Sequence, residues 1–145
     1  MENEILNEQT IKLGAKLSGK EEAVRYVGGI LVDNGYVETE YVEKMLEREE
    51  VTSTYMGNYV AIPHGTEDSK NTVTKTGISI VTIPDGVDFG SGNTVKVLIG
   101  IAGKGDEHLE VLSKIAIICS EEENIQKMID ADSSEQILAL FDEVE

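Results

Sequence analysis

The spacing of apolar residues predicts five helices along the chain. The first opens behind a capping box of Ser18 and Glu21, and it ends at Asn34-Gly35, a pair typical of a helix C-terminus. The other four are expected over about 38–50, from Asp106 as N-cap, over about 121–130, and over 134–142 behind a second capping box of Ser133 and Gln136.

Runs rich in β-branched residues predict the strands. An edge strand is expected at 10–13 and another short strand at 58–62. A stronger strand covers 77–83, and Pro84-Asp85-Gly86 is expected to end it. The segment 95–102 is apolar almost throughout, which is typical of a central strand.

The order of these elements predicts an α/β fold. Residues 1–145 are expected to form a single domain, with one mixed parallel and antiparallel sheet of about five strands flanked by helices. No apolar run approaches the roughly 18 residues that a membrane span needs. The N-terminus, MENEILNEQT, lacks the basic and apolar regions of a signal peptide. We therefore expect a cytoplasmic protein with no direct membrane insertion.

The chain is strongly acidic, with 28 Asp and Glu against 12 Lys and Arg and a formal net charge of −16. A negative field of this size repels nucleic acid and anionic lipid, so neither is expected as a partner. It favours encounter with a basic protein, although acidity also serves solubility alone.

Cys119 is the single cysteine, so the chain forms no intrachain disulfide and no cysteine-rich zinc site. It falls on an apolar helical stripe, where a small buried side chain is expected. The two histidines lack the H-x-x-H and HExxH spacings of metal sites, which leaves a two-histidine metal hydrolase as a weak alternative. We expect no metal and no cofactor.

His64 ends the apolar run that leads into Pro63 and precedes Gly65. Proline keeps the preceding residue extended, and glycine leaves room for a close approach. Chemically active residues of α/β folds often occupy such strand ends. Alone, however, a histidine in this place is also compatible with a purely structural role.

His108 is expected just inside the helix that follows the strand 95–102. The N-terminus of a helix favours anions such as a phosphoryl group and disfavours an imidazolium. If the strands before His64 and His108 are neighbours with these ends on one side, the two rings converge. One imidazole then attacks phosphorus, the other donates to the phosphoryl oxygens, and Arg48 supplies positive charge. Singly, His108 and Arg48 also fit ordinary surface residues.

The segment from Arg48 to Thr66, REEVTSTYMGNYVAIPHGT, resembles the active-site signature of the enzyme IIA proteins of the mannitol/fructose group of the sugar phosphotransferase system. The resemblance extends along essentially the whole chain and includes Gly35-Tyr36-Val37, Thr76-Gly77 and Glu107-His108. The segment Thr54 to Gly57 and the Pro-His-Gly-Thr ending are most similar to the mannitol branch.

The resemblance implies a phosphohistidine phosphocarrier, a phosphotransferase component. His64 corresponds to the histidine that accepts a phosphoryl group on Nε2 from phospho-HPr and passes it to a cysteine of enzyme IIB. Arg48 corresponds to an arginine that stabilises the transition state, and His108 to a second histidine that supports the phosphoryl group. The implied partners are HPr and the IIB/IIC mannitol permease. A modest apolar docking patch is expected near His64, with Tyr55, Met56 and Tyr59 as candidates that fit the core equally well.

An alternative from a different class stays open at this point. The same histidine serves a regulatory phospho-acceptor module in the fructose or nitrogen-regulatory branch. Transfer to an enzyme IIB distinguishes the phosphocarrier from the regulatory module.

Overall fold

Five α-helices and five β-strands make up the regular structure of the residues described in this computed structural model, 5–66, 71–90, 92–105 and 107–142. None of the described helices is long and apolar enough to span a bilayer. A short 3₁₀ helix at Glu8–Thr10 precedes the first strand. The strands are β1 Ile11–Lys12, β2 Tyr55–Gly57, β3 Val60–Ala61, β4 Gly77–Asp88 and β5 Thr94–Ala102, and the helices are α1 Lys20–Asp33, α2 Glu40–Val51, α3 Glu107–Cys119, α4 Glu122–Asp130 and α5 Ser134–Asp142.

The strands form one mixed sheet in the order β1-β4-β5-β3-β2. β1 pairs with β4 and β3 with β5 in parallel, whereas β4–β5 and β2–β3 are antiparallel. The predicted α/β fold with a mixed sheet of about five strands is therefore confirmed. The long β4 and β5 lie at the centre, and the predicted edge strand β1 closes one side of the sheet.

Helices cover both faces of the sheet because side chains of a strand alternate between its faces. Along β5, Val97, Ile99 and Ile101 pack on the side of α3, α4 and α5, whereas Leu98 and Ala102 pack on the side of α1 and α2. All five side chains are fully buried. This explains why β5 reads as a nearly continuous apolar run in the sequence.

Several local predictions need correction. β4 continues through Pro84-Asp85-Gly86 to Asp88, and its pairing with β5 shifts register between Thr82 and Val87. A proline cannot donate to a ladder, but an irregular stretch of strand tolerates it. No strand was predicted at Tyr55–Gly57. This segment forms β2, which pairs with β3.

The helix starts also differ from expectation. Gly19 is the N-cap of α1, without a side-chain capping bond. The hydroxyl and backbone N–H of Ser18 donate instead to Glu22, one residue beyond the expected Glu21. Asp106, the expected N-cap of α3, lies outside the described residues. The remaining elements begin and end within two residues of their predicted bounds at 38–50, 95–102, 121–130 and 134–142.

Candidate active site

The parallel pairing of β3 with β5 brings the two histidines to one edge of the sheet. His64 continues the line of β3 and stands in register with Ile101 of β5, and the Ile101 N–H donates to the Pro63 carbonyl at 3.0 Å. β5 ends one residue later, and α3 then begins at Glu107, next to His108. The carboxyl ends of parallel strands meet at the same edge, which is where α/β proteins place their sites.

The His64 ring is held by a single backbone contact. Its Nδ1 lies 2.8 Å from the carbonyl oxygen of Ile62. A carbonyl only accepts hydrogen bonds, so in the neutral ring the proton sits on Nδ1 and the lone pair on Nε2. The contact therefore fixes both the orientation of the ring and the nitrogen that is able to act as a nucleophile.

The environment of His64 keeps its imidazole neutral. Burial lowers the pKa of His64 below the usual value of a histidine. The hydrogen bond with Ile62 opposes that shift, the positive charge of Arg48 adds to it, and the negative charge of Glu49 opposes it. The net direction is downward, so the neutral form is favoured at physiological pH.

His108 is the second residue of α3 and lies directly against Gly103. A Cβ at Gly103 would collide with the Cα and Cβ of His108, so only glycine allows this approach. The start of α3 is further held by Thr76, whose hydroxyl donates to the Glu107 carboxylate at 2.8 Å and accepts from the Lys104 N–H at 3.0 Å. Both contacts fix where His108 stands relative to the end of β5.

The centroids of the His64 and His108 rings lie 5.6 Å apart, with the ring planes inclined by 54°. This confirms the expectation that the two imidazoles converge if their strands are neighbours. The two-histidine metal hydrolase would need further ligands. Within the described part of the chain, no group of three or more His, Cys, Asp or Glu side chains is able to hold a metal ion.

Arg48 lies in the last turn of α2, and its charge acts on His64. Its Nη1 donates to the carbonyl oxygen of Thr52 at 2.7 Å, which draws the guanidinium towards the chain that leads into β2. The neighbouring carboxylates Glu47 and Glu49 make contacts of their own. Within the described residues Glu47 pairs with Lys44 at 3.5 Å, and the Glu49 carboxylate accepts from Thr54.

Glu49 is a buried carboxylate, only 4% exposed, beside Arg48. Its two oxygens accept from the backbone N–H of Thr54 at 2.8 Å and from the Thr54 hydroxyl at 2.6 Å. These bonds close the turn between α2 and β2, so they hold the Arg48 end of α2 against the strand pair that presents His64. The helical pattern of the sequence gave no sign of this role for Glu49.

Tyr41 is a second residue whose role the sequence pattern did not reveal, since it lies on the apolar face of α2 with Val42 and Met45. It is 3% exposed, and its hydroxyl contacts both histidine-bearing segments, Gly65 and Ile101. A signal for this role was available, because a buried tyrosine usually has a hydrogen-bond partner for its hydroxyl.

Cys119 is buried as predicted, and burial raises the pKa of its thiol to about 11.

Of the three residues expected in a docking patch near His64, Met56 and Tyr59 are exposed, at 41% and 47%. Tyr59 precedes β3, whereas His64 follows it, so at about 3.3 Å per residue the two lie roughly 16 Å apart along the strand. Val51, which ends α2 three residues after Arg48, is 76% exposed, and Leu109, next to His108, is 69% exposed. Each of these two residues lies close in the chain to a candidate site residue.

Residues 4–144 match the family model described as "Phosphoenolpyruvate-dependent sugar phosphotransferase system, EIIA 2". The chain belongs to this family. The fold is therefore that of an enzyme IIA chain, as the resemblance of the segment from Arg48 to Thr66 implied.

Similar proteins place this enzyme IIA chain close to the mannitol branch. The mannitol-specific phosphotransferase enzyme IIA component of Geobacillus stearothermophilus is 62% identical over 140 residues, covering 97% of each chain. Enzyme IIA mannitol of Escherichia coli, solved in complex with phosphorylated enzyme IIB mannitol, superposes with a TM-score of 0.90 at 38% identity, covering 95% of this chain and 97% of that one. Its crystal structure gives a TM-score of 0.87 at 40% identity, covering 94% and 98%.

Proposed function

We propose that this enzyme IIA chain is the phosphocarrier of a mannitol phosphotransferase system. In this proposal residues 1–145 act as one domain, which accepts a phosphoryl group from phospho-HPr and passes it to the cysteine of a mannitol enzyme IIB. The observation that carries the proposal is the setting of the His64 ring. Its Nδ1 is bonded to the Ile62 carbonyl, which leaves Nε2 as the nucleophile. The centroid of the ring lies 5.6 Å from that of a second imidazole, His108. The similarity to mannitol enzyme IIA proteins supports the choice of sugar.

The first transfer exchanges one N–P bond for another. The Nε2 lone pair of His64 attacks phosphorus, and the phosphohistidine nitrogen of HPr leaves with the electron pair of the bond that breaks. The attack requires a neutral ring, which the lowered pKa of His64 provides. In the second transfer the thiolate of enzyme IIB attacks the same phosphorus, and the electron pair returns to Nε2.

Arg48 and His108 stabilise the charge on the transferring group. Such a group carries negative charge on its equatorial oxygens, so catalysis depends on fixed donors and positive charge around them. One N–H of Arg48 holds Thr52, and the rest of the planar guanidinium fork serves the phosphoryl oxygens. His108, at the N-terminus of α3, adds an imidazole donor together with the positive end of the helix.

The partners dock on the surface around this site. Val51 and Leu109 are exposed large hydrophobic residues, and each belongs to a helix that carries a proposed site residue. In a chain of net charge −16, exposed apolar side chains on these two helices are candidates for the contact surface. The surrounding acidity draws in a basic partner.

Incubation with phosphoenolpyruvate, enzyme I and HPr tests the proposal. We expect one acid-labile phosphoryl group per chain, mapped to His64 and absent from the His64→Gln variant. The matched His108→Gln variant should still be labelled on His64, at a lower rate. Label that persists in His64→Gln, or that maps to His108, contradicts the assignment.

A chase with mannitol enzyme IIB and enzyme IIC tests the transfer onward. We expect the label to move to an enzyme IIB cysteine and then to mannitol. Labelling by HPr without any transfer to enzyme IIB would instead favour a regulatory phospho-acceptor. A fructose enzyme IIB serves as the control for sugar specificity.

A further inference from the structure

The Tyr41 hydroxyl joins the two segments that carry the histidines. It accepts a hydrogen bond from the Gly65 backbone N–H at 2.9 Å and donates one to the Ile101 carbonyl at 2.7 Å. Gly65 directly follows His64, and Ile101 lies two residues before Gly103, which packs against His108. One hydroxyl on α2 therefore contacts the chain beside both rings.

The Tyr41 hydroxyl bonds two backbone groups at the end of the pairing between β3 and β5. His64 pairs with Ile101 in parallel, and the Ile101 N–H bonds the Pro63 carbonyl at 3.0 Å. In a regular parallel ladder the next bond would run from the Gly65 N–H to the Ile101 carbonyl. The Tyr41 hydroxyl bonds to both of these groups, the Gly65 N–H and the Ile101 carbonyl, directly after His64.

We propose that Tyr41 is a positioning residue for phosphoryl transfer, whose hydroxyl ties the chain after His64 to the end of β5 and so sets the position of His64 relative to His108. This proposal rests on the function proposed above. Without the oxygen, the Gly65 N–H and Ile101 carbonyl close directly on one another or lose their partners. Either outcome moves the backbone beside His64, and the transfer geometry tolerates little displacement.

The chemistry of the phenol fits this task. The hydroxyl must donate and accept at the same time, which only its protonated form does. Burial raises the pKa of Tyr41 to about 12, against a smaller opposing effect of the bond from Gly65. The hydroxyl therefore stays protonated, and both of its hydrogen bonds are kept, at every pH at which the protein works.

The test is single-turnover transfer from phospho-HPr to the Tyr41→Phe variant. We expect the maximal rate constant to fall about tenfold to a hundredfold, because a displacement near 1 Å costs on that order. The concentration of phospho-HPr that gives half the maximal rate should not change, since Tyr41 is buried and does not touch the partner. An unchanged maximal rate constant, or a change confined to the half-saturating concentration, overturns the proposal.

Tyr36→Phe is the matched control. Tyr36 is also buried, at 2% exposure, and its hydroxyl accepts from the side chain of Asn7 near the N-terminus. We expect this variant to lose stability but to transfer at the wild-type rate. If both variants lose rate in proportion to their loss of stability, Tyr41 acts only on the fold and the proposal is overturned.

Two further measurements separate this proposal from the function on which it rests. Wild-type protein that takes no phosphoryl group from phospho-HPr refutes the function itself, whereas a labelled wild type with a fully active Tyr41→Phe variant refutes only the role of Tyr41. If Tyr41→Phe fails to fold, amide exchange in the wild type decides. The proposal requires a protected Gly65 amide, and exchange as fast as at an exposed amide overturns it.

Discussion

Nδ1 of His64 donates to the carbonyl oxygen of Ile62, two residues earlier in the chain, at 2.8 Å. The ring thus binds back to the strand end that presents it. Nucleophile, tautomer and ring orientation are set within one extended segment, before any contact from another element is added. The contacts from Tyr41, Gly103 and Thr76 then adjust the surroundings of a ring that is already oriented.

The first prediction concerns pH. Because the pKa of His64 lies below that of an unfolded histidine, about 6.5, the native ring stays neutral when a free histidine begins to protonate. The rate of phosphoryl transfer to His64 should therefore stay constant as the pH falls to about 6.5 and decline only below that value. NMR titration of the ring provides the direct check, and a midpoint above that of a model histidine peptide contradicts it.

The same shift predicts a stability effect. Between the folded and unfolded pKa values the unfolded chain binds more protons, so stability at His64 is lost as the pH falls from about 6.5. Urea unfolding across this range should show a smaller pH dependence for His64→Gln than for the wild type. Identical slopes would remove His64 as a source of the dependence.

Arg48→Ala should slow phosphoryl transfer by about a hundredfold to a thousandfold, as expected for the loss of one donor to a developing anion. Arg48→Lys keeps the charge but loses the planar fork, so it should recover only part of the rate. Arg25→Ala is the control, because Arg25 pairs on the surface with Glu21 and Glu43 at 3.1 and 2.8 Å. Wild-type transfer by Arg48→Ala would exclude the guanidinium from the mechanism.

Gly103→Ala should displace His108, because the added Cβ collides with the histidine backbone. We expect a loss of about 1–3 kcal/mol in the free energy of unfolding, as for other overpacked positions. Label should still map to His64, but at a lower rate. Gly29→Ala in α1 is the matched control, since its Cβ meets no atom within 4 Å and should stabilise the helix by about 0.5–1 kcal/mol. A Gly103→Ala variant that matches the control in stability and rate contradicts the close approach.

Leu109→Ser should weaken docking of HPr. Burying a leucine contributes about 1.5–3 kcal/mol, so its loss should raise the KM for phospho-HPr by about tenfold with little change in kcat. Tyr26→Ser on α1 is the control, because Tyr26 is exposed at 40% on a helix that carries no proposed site residue. Equal effects of the two substitutions would show that Leu109 has no specific part in docking.

The approach of the chain to each histidine could be predicted because it depends on local sequence. Val60-Ala61-Ile62-Pro63 specifies an extended approach to His64, and the break after Ala102 specifies a helix start near His108. Their meeting needed one further fact, the parallel pairing of β3 with β5, which periodicity alone does not specify. The family resemblance implied that the two histidines meet, and the 5.6 Å between their ring centroids confirms that they do.

What the sequence did not predict arises from tertiary contacts. Tyr41 and Glu49 both look like members of an ordinary amphipathic helix, and only the packed structure shows that their oxygen atoms are buried against backbone groups. Pro84 was expected to end β4 because local turn propensity favours it. The pairing of β4 with β5 resumes at Val87 and overrides that preference.

The register of β3 with β5 limits which changes in chain length the protein can accept. Val60 pairs with Val97, and His64 stands opposite Ile101. One residue inserted between Val60 and His64 would turn the imidazole to the other face of the sheet. Insertions are better placed at the turn of Asn58 and Tyr59, which joins β2 to β3 ahead of this stretch. Linkers or reporter tags for following phosphoryl transfer in cells therefore belong at that hairpin.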